Sequence, residues 1–382
     1  RHIFYGDPEI GGRFSALSVF GMVAGASMGI DVEEFLNNAA EMVGACRNEQ
    51  PSENPGAVLG TILGICHKLG RDKLTIFTSQ EIHDLGAWLE QLIAESTGKN
   101  GVAIIPVDRE PLVPADHYGD DRVFIYLSTK SAVPDESFSI GLNAIEAADN
   151  PVIRIMLEGI ENLGQEFFRW EFATAVAGSI MQINPFDQPD VEAAKIEARK
   201  LTDQYERTGS LPAETPFFEE NGISLFSSDE YAGELKGLVD EESHAAFLEA
   251  HVLNAETPDY FAILAYVAMN SENEELVSEL RGKILEQTEV ATCLGFGPRF
   301  LHSTGQAYKG GGHNGVFLQI TSDDEFDIPV PGQKYTFGIV KAAQARGDFQ
   351  VLLDRGRRAL RVHIGGGMTV REGLETINGS LS

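Results

Sequence analysis

The chain has 382 residues, of which 43% are hydrophobic and 23% charged, an ordinary globular composition with enough length for one large or two to three ordinary domains. Its 29 basic and 58 acidic side chains leave a net charge of −29, which argues against nonspecific binding to nucleic acid or to an anionic membrane. An anionic ligand would be repelled at long range, so a phosphate site would need Arg, Lys and backbone N–H groups close at hand.

Residues 1–5 read as a strand already under way, and the chain starts at Arg1 without a methionine, so a preceding region is expected. After Gly11-Gly12-Arg13, helical patterns cover 14–29, 31–46 (with Asp31 as N-cap) and 55–69. The apolar run from Phe14 to Ile30 is interrupted by Ser15, Ser18 and Ser27 and leads to no cleavage-type sequence, so it reads as a buried helix and not as a signal peptide. Leu74 to Phe77 is a short strand, and Ile82, Leu85, Leu89 and Leu92 mark a helix over 80–95. Strands at 102–106, 123–127 and 152–157 and helices at 163–181 and 190–206 follow. This alternation predicts an α/β fold with a doubly wound parallel sheet. Gly209, Pro212 and Pro216 punctuate 207–224 as a linker. A second, smaller α/β domain follows, with helices near 228–254, strand 260–267, helix 272–287, strands 290–295 and 316–320, helix 338–355 and strand 360–363. The expected domains are therefore 1–206 and 207–382. Cys46, Cys66 and Cys293 are odd in number and far apart, giving neither a disulfide framework nor a zinc pattern. A reducing, cytoplasmic setting fits them.

Four segments concentrate chemistry. In Gly11-Gly12-Arg13 the glycines permit unusual backbone angles and close approach of a ligand, with N–H groups beside a helix N-terminus and Arg13 placed to stabilise developing negative charge; a tight turn with a surface arginine fits the same tripeptide. Glu95 ends an amphipathic helix, where a carboxylate faces the negative end of the macrodipole; a solvated acid at a helix end is the plainer reading. From Asn184 to Lys195, Asn184 and Asp187 favour a turn, Pro189 suits the first turn of the next helix, and Lys195 falls about two turns into it. The stretch Gly297 to His313 gathers His302, Ser303, Thr304, Lys309 and consecutive glycines. It is not a Walker A loop, because no Gly-Lys-Ser/Thr ends it, although its backbone N–H groups could cradle an anion; a structural glycine turn is the alternative. His302 and His313 lack further ligands at helpful spacing, so no metal is expected.

Together these segments resemble phosphoglucose isomerase (glucose-6-phosphate isomerase). Gly11-Gly12-Arg13-Phe14-Ser15 is similar to that family's first signature, and Asn184 to Lys195 to its second. Gln91-Leu92-Ile93-Ala94-Glu95-Ser96-Thr97-Gly98-Lys99 resembles the segment that carries the catalytic glutamate, and Glu171 matches a glutamate of the helix before the second signature. The match covers residues 1 to about 205. The remainder, above all Gly297 to Gly312, is similar to the tail of bacterial fusions of transaldolase with glucose-6-phosphate isomerase, so the chain is expected to be the C-terminal part of such a fusion.

The resemblance implies a sugar isomerase (SIS) fold. It also implies interconversion of glucose 6-phosphate and fructose 6-phosphate through a cis-enediol(ate), in glycolysis and gluconeogenesis, without cofactor or metal. It makes Glu95 the base that moves a proton between C2 and C1, and Arg13 the cation that stabilises the intermediate. Gln188, with Gly11 and Gly12, would meet the substrate, and Lys195 would assist ring opening or bind ring oxygens. Two departures stand out. The family's ring-opening histidine lies in a Gly-Thr-Asn-Gly-Gln-His-like segment, whereas residues 108–165 here contain one histidine, His117, in an unlike setting; His302 is the candidate substitute. The family's phosphate loop belongs to an upstream SIS half that is not visible, and Ser303, Thr304 and Lys309 are its candidate replacements. The expected partners are a small-molecule sugar phosphate and either a second copy or an upstream transaldolase or SIS domain, with no nucleic acid and no membrane. A sugar-phosphate-binding module without catalysis is the alternative.

Overall fold

A computed structural model describes residues 2–381. It divides into two compact α/β units: residues up to 116 with 120–188, and 117–119 with 189 onward.

The first unit runs α1 Val19–Ser27, α2 Val32–Ala45, α3 Pro55–Lys68, β1 Lys73–Thr78, α4 Leu85–Thr97, β2 Ile105–Asp108, β3 Arg122–Thr129, α5 Glu136–Ala147, β4 Val152–Leu157 and α6 Leu163–Met181. Its four strands are parallel in the order β2-β1-β3-β4. Parallel strands need crossovers, and the amphipathic helices supply them. Leu74 and Ile76 of β1, Val123, Ile125 and Leu127 of β3, Leu89 and Leu92 of α4 and Trp170 of α6 form the core. Asp31 caps α2, accepting from the Glu34 N–H at 3.0 Å, as the sequence pattern expects. Asn54 caps α3 in the same way, accepting from Ala57 at 2.9 Å. Gly56, Gly60 and Gly64 recur every four residues on α3 and face Phe172, Val176 and Ile180 of α6. That small-residue stripe lets the two helices approach closely.

The expected helix over 14–29 breaks into a 3-10 turn, Gly12–Phe14, and α1. Hydroxyls break it: Ser15 donates to the Gly12 carbonyl, Ser18 donates to the Ser15 carbonyl, and Ser18 accepts from the Phe20 N–H as N-cap. Nor is this segment buried, because Phe20 and Met28 are each 75% exposed. Strand β2 starts at Ile105, since Val102 closes a tight turn on Lys99 through Asn100 (φ 57°) and Gly101 (φ 81°).

The second unit runs α7 Val191–Thr208, β5 Phe218–Glu220, β6 Ile223–Phe226, α8 Asp229–Leu238, α9 His244–Leu253, β7 Tyr260–Tyr266, α10 Ser271–Thr288, β8 Ala291–Phe296, α11 Gly305–Gly310, β9 Gly315–Ser322, α12 Phe337–Asp354, β10 Arg358–Ile364 and α13 Val370–Gly379. Its sheet order is β5-β6-β10-β9-β7-β8. β10, β9, β7 and β8 are mutually parallel, and β6 and β5 are added antiparallel. Every residue of β7 is buried, as a central parallel strand requires.

The boundary falls at 188/189 and not at the expected 206/207. Helix α7 belongs to the second unit because it packs on α12: a Cβ at Gly347 would lie 2.8 Å from the Ala198 backbone nitrogen. The α7 N-terminus is also tied there, with Gln306 Oε1 accepting from the Asp190 and Val191 N–H groups at 2.9 and 3.1 Å. The expected linker 207–224 contains β5 and the start of β6, and the second unit is not the smaller one. Among the described residues, no helix is long and apolar enough to cross a membrane.

Candidate active site

In a parallel βαβ unit the crossover helix ends where the next strand begins, so the last turn of α4 lies at the amino-terminal edge of the sheet. Glu95 occupies that turn and is 8% exposed. Arg13, carried by the 3-10 turn, is 2% exposed and its Nη1 lies 3.5 Å from Glu95 Oε1.

The guanidinium is held from several sides. Nε donates to Ser96 Oγ at 2.8 Å, Nη1 to Gln188 Oε1 at 2.9 Å, and Nη2 to the Pro185 and Asp187 carbonyls at 2.8 and 3.2 Å. Four of its five N–H groups are thereby engaged. Its charge centre lies 5.0 Å from the Phe14 ring centroid. Burial pushes the arginine pKa down, opposed by the negative charges of Glu95 and Asp187. Gln91 Nε2 donates to Glu95 Oε2 at 3.3 Å.

The loop Asn184 to Gln188 follows α6, which closes with Gln182 in the left-handed region at φ 62°. Lys99 pins this loop: its Nζ donates to the Asn184 carbonyl at 2.7 Å, to Asp187 Oδ1 at 2.8 Å and to the Asp187 carbonyl. Asn184 Oδ1 accepts from the Phe186 N–H at 3.1 Å, the turn expected from the sequence.

Thus Arg13, Glu95 and Gln188 converge within the first unit. Gly11 and Gly12 flank them, but Gly11 is extended (φ −63°, ψ 150°) and neither glycine has a positive φ. What they contribute is open space: both are exposed, and a Cβ at Gly12 would meet nothing within 4 Å. The sequence gives Ser96 and Lys99 no role and Asp187 only that of a turn former, although all three lie inside the quoted phrases. Their contribution needs partners 83 to 88 residues away in sequence, Arg13 for Ser96 and Asp187 for Lys99.

Lys195 and His302 belong to the second unit, where they line a hollow of about 40 Å3 with Val191, Ala194 and Leu301. Lys195 is half-exposed and lies 3.7 Å from Glu192 Oε2. His117, too, is grouped with this unit, its Nδ1 3.5 Å from Glu289 Oε1. The candidate phosphate cradle takes a structural form instead. Lys309 is 3% exposed, paired with Asp348 at 2.5 Å, and donates to the Gly305 carbonyl at 3.2 Å. Ser303 Oγ donates to the Phe300 carbonyl at 3.3 Å, and Thr304 is 2% exposed. The glycine turn is held by Arg357, which donates to the carbonyls of Lys309 and Gly311 at 2.9 and 2.8 Å. Lys309, Ser303 and the carbonyls held by Arg357 are satisfied in this way and stabilise a turn, while the buried Thr304 hydroxyl has no hydrogen-bond partner.

No family model matches the chain. It is 32% identical over 232 residues to the glucose-6-phosphate isomerase of Rubrobacter xylanophilus, covering 49% of this chain and 52% of that protein. It is 28% identical over 225 residues to the glucose-6-phosphate isomerase of Methanocaldococcus jannaschii, covering 50% and 56%. The chain therefore spans about half the length of the curated relatives it matches. Among solved structures, a glucose-6-phosphate isomerase from Chlamydia trachomatis aligns with a TM-score of 0.40 at 19% identity, over 51% of this chain and 47% of that one.

Proposed function

We propose that the first unit is the catalytic part of an aldose–ketose isomerase that interconverts glucose 6-phosphate and fructose 6-phosphate. The observation that carries this reading is the buried carboxylate of Glu95 held 3.5 Å from a guanidinium fixed by four hydrogen bonds. Similarity to proteins named glucose-6-phosphate isomerase supports it.

Isomerisation moves the C2 proton of the open-chain aldose to C1 and passes the O2 proton on as O1 gains one, with no net change in oxidation. Glu95 takes the carbon proton and returns it. The resulting enediolate carries charge on oxygen, and Arg13 is preorganised beside the base to stabilise it. Gln188 spends its Oε1 on Arg13 and keeps its amide N–H groups for a substrate hydroxyl. Lys195 and His302 remain candidates for ring opening, within a longer protein that would supply the phosphate pocket in cytoplasmic sugar metabolism. A second reading is a sugar-phosphate-binding module without catalysis, in keeping with coverage of only about half of each relative.

Glu95→Gln keeps the shape and removes the base, so turnover is expected to fall by about 10²–10⁴-fold. A coupled assay of glucose 6-phosphate formed from fructose 6-phosphate measures it. Turnover within tenfold of the native chain rejects Glu95 as base; binding of the hexose phosphate with no turnover in the native chain selects the second reading.

A further inference from the structure

The second unit contains a cavity of about 570 Å3 that the isomerase reading does not use. It opens at the carboxyl ends of β7, β9 and β10, lined by Tyr266, Thr321, Ser322 and His363. β8 lies on one side of β7 and β9 on the other, so the connections part there, the place where open α/β sheets form ligand crevices.

Its walls are chemically polarised. At the deep end Arg361 is 3% exposed, its charge centre 4.2 Å from the Phe226 centroid and 5.2 Å from that of Phe349. Arg361 Nη2 donates to Glu214 Oε1 at 2.8 Å, and Arg346 Nε lies 2.6 Å from Glu214 Oε2. Two guanidiniums thus share one carboxylate, an excess of one positive charge. Arg361 Nε is buried there without a hydrogen-bond partner. The mouth has the opposite character: Asp323, Asp324 and Asp327 line it with a single lysine, Lys341. Asp324 pairs with Lys341, Asp323 Oδ1 lies 3.4 Å from His363 Nε2, and Asp327 Oδ1 accepts from the Gly338 N–H at 2.7 Å. Burial lowers the His363 pKa, against the pull of Asp323, so its ring adds no lasting charge at neutral pH.

We propose that this cavity binds an anionic carbohydrate, its anionic head at Arg361 and Arg346 and its hydroxyl groups donating to the carboxylates at the mouth. An anion at the deep end offsets the guanidinium excess and supplies an acceptor to the Arg361 Nε–H, which is costly to leave buried and unpaired. Hydroxyls can donate to the carboxylate oxygens that Lys341 and the Gly338 N–H leave over, whereas a second anionic group placed there would be repelled. The volume lies within the range of small-molecule sites. All of these residues belong to the second unit, so the proposal does not rest on Glu95 and Arg13, and only anion binding that Arg346→Met weakens counts for it.

Calorimetric titration of the full chain with glucose 6-phosphate, gluconate and uncharged glucose tests it, with Arg346→Met and Asp323→Asn as variants. Circular dichroism serves as the folding control, and Arg346→Lys is the substitute if Arg346→Met does not fold. At least one of the two anions is expected to bind, and Arg346→Met should weaken that binding at least about tenfold, the order expected for a charged hydrogen bond. Asp323→Asn should weaken it severalfold, and glucose should bind far less tightly. Within the binding that Arg346→Met weakens, preference for glucose 6-phosphate identifies the head as phosphate, and preference for gluconate as carboxylate. Binding of glucose as tight as that of the anions, anion binding untouched by Arg346→Met, or no anion binding at all overturns the proposal.

Discussion

Lys99→Met tests whether the loop that grips Arg13 is held from below. The Lys99 ammonium, 2% exposed, donates to two carbonyls and one carboxylate of the Asn184–Asp187 turn. A hydrogen bond to a charged group nets about 1.5–3 kcal/mol. The Asp187 side chain is 54% exposed, so its share falls to about 0–1 kcal/mol. Burial lowers the Lys99 pKa, with Asp187 pulling the other way, and removing the ammonium recovers that desolvation cost. The net loss is expected to be about 2–3 kcal/mol. Trp88 and Trp170 are the chain's two tryptophans and both lie in the first unit, so urea unfolding followed by tryptophan fluorescence reads that unit alone. With a typical m-value the midpoint should drop by roughly 1–2 M. Turnover should fall at least about tenfold, as a freed loop releases Gln188 and the two carbonyls that orient Arg13. A midpoint and a turnover both unmoved would refute this account of the loop.

Gly60→Ala places a Cβ 2.7 Å from the Val176 Cβ and against the Ala173 carbonyl. Because a backbone group cannot rotate away, the variant should lose about 1–3 kcal/mol in the same fluorescence titration, and a midpoint equal to the native one contradicts the close α3–α6 packing. Burial raises the Glu171 pKa to about 8 from its ordinary 4.5, and its Oε1 has no hydrogen-bond partner. Between those values the folded chain holds a proton that the unfolded chain has lost, so this group's contribution to stability is full below pH 4.5 and declines as pH rises through 8. The slope is at most about 1.4 kcal/mol per pH unit. Glu171→Gln should flatten the decline and exceed the native chain in stability at pH 8; urea midpoints at pH 5, 6.5 and 8 check it, and an unchanged slope counts against a buried neutral carboxyl.

Local patterns carried most of the secondary structure, because caps and periodicities act within a few residues. Asp31 and Asn184 behave as their side-chain chemistry dictates. The exceptions have local reasons that a hydropathy pattern hides: serine hydroxyls divide 14–29, and a turn at Asn100-Gly101 delays β2. The candidate site was readable in part. Arg13, Glu95 and Gln188 lay in recognisable phrases, but the partners that fix Arg13 come from segments 83 and 172–175 residues away. The phrase Gly297 to His313 left an anion cradle and a structural turn open for a related reason. Its lysine and hydroxyls look available in one dimension, whereas Lys309 is consumed by Asp348, 39 positions on.

The amino-acid order alone was enough to specify alternating strands and helices, their principal caps, and the residue types that a carbon-acid reaction needs. Which residues share a wall was decided only by folding: α7 joins the second unit through Gly347, Lys99 supports the turn beneath Gln188, and Arg361 meets Glu214. Helix and strand formation depends on neighbours a few positions apart, while burial, charge pairing and the choice between a ligand site and a structural turn depend on groups that only tertiary packing brings within bonding distance.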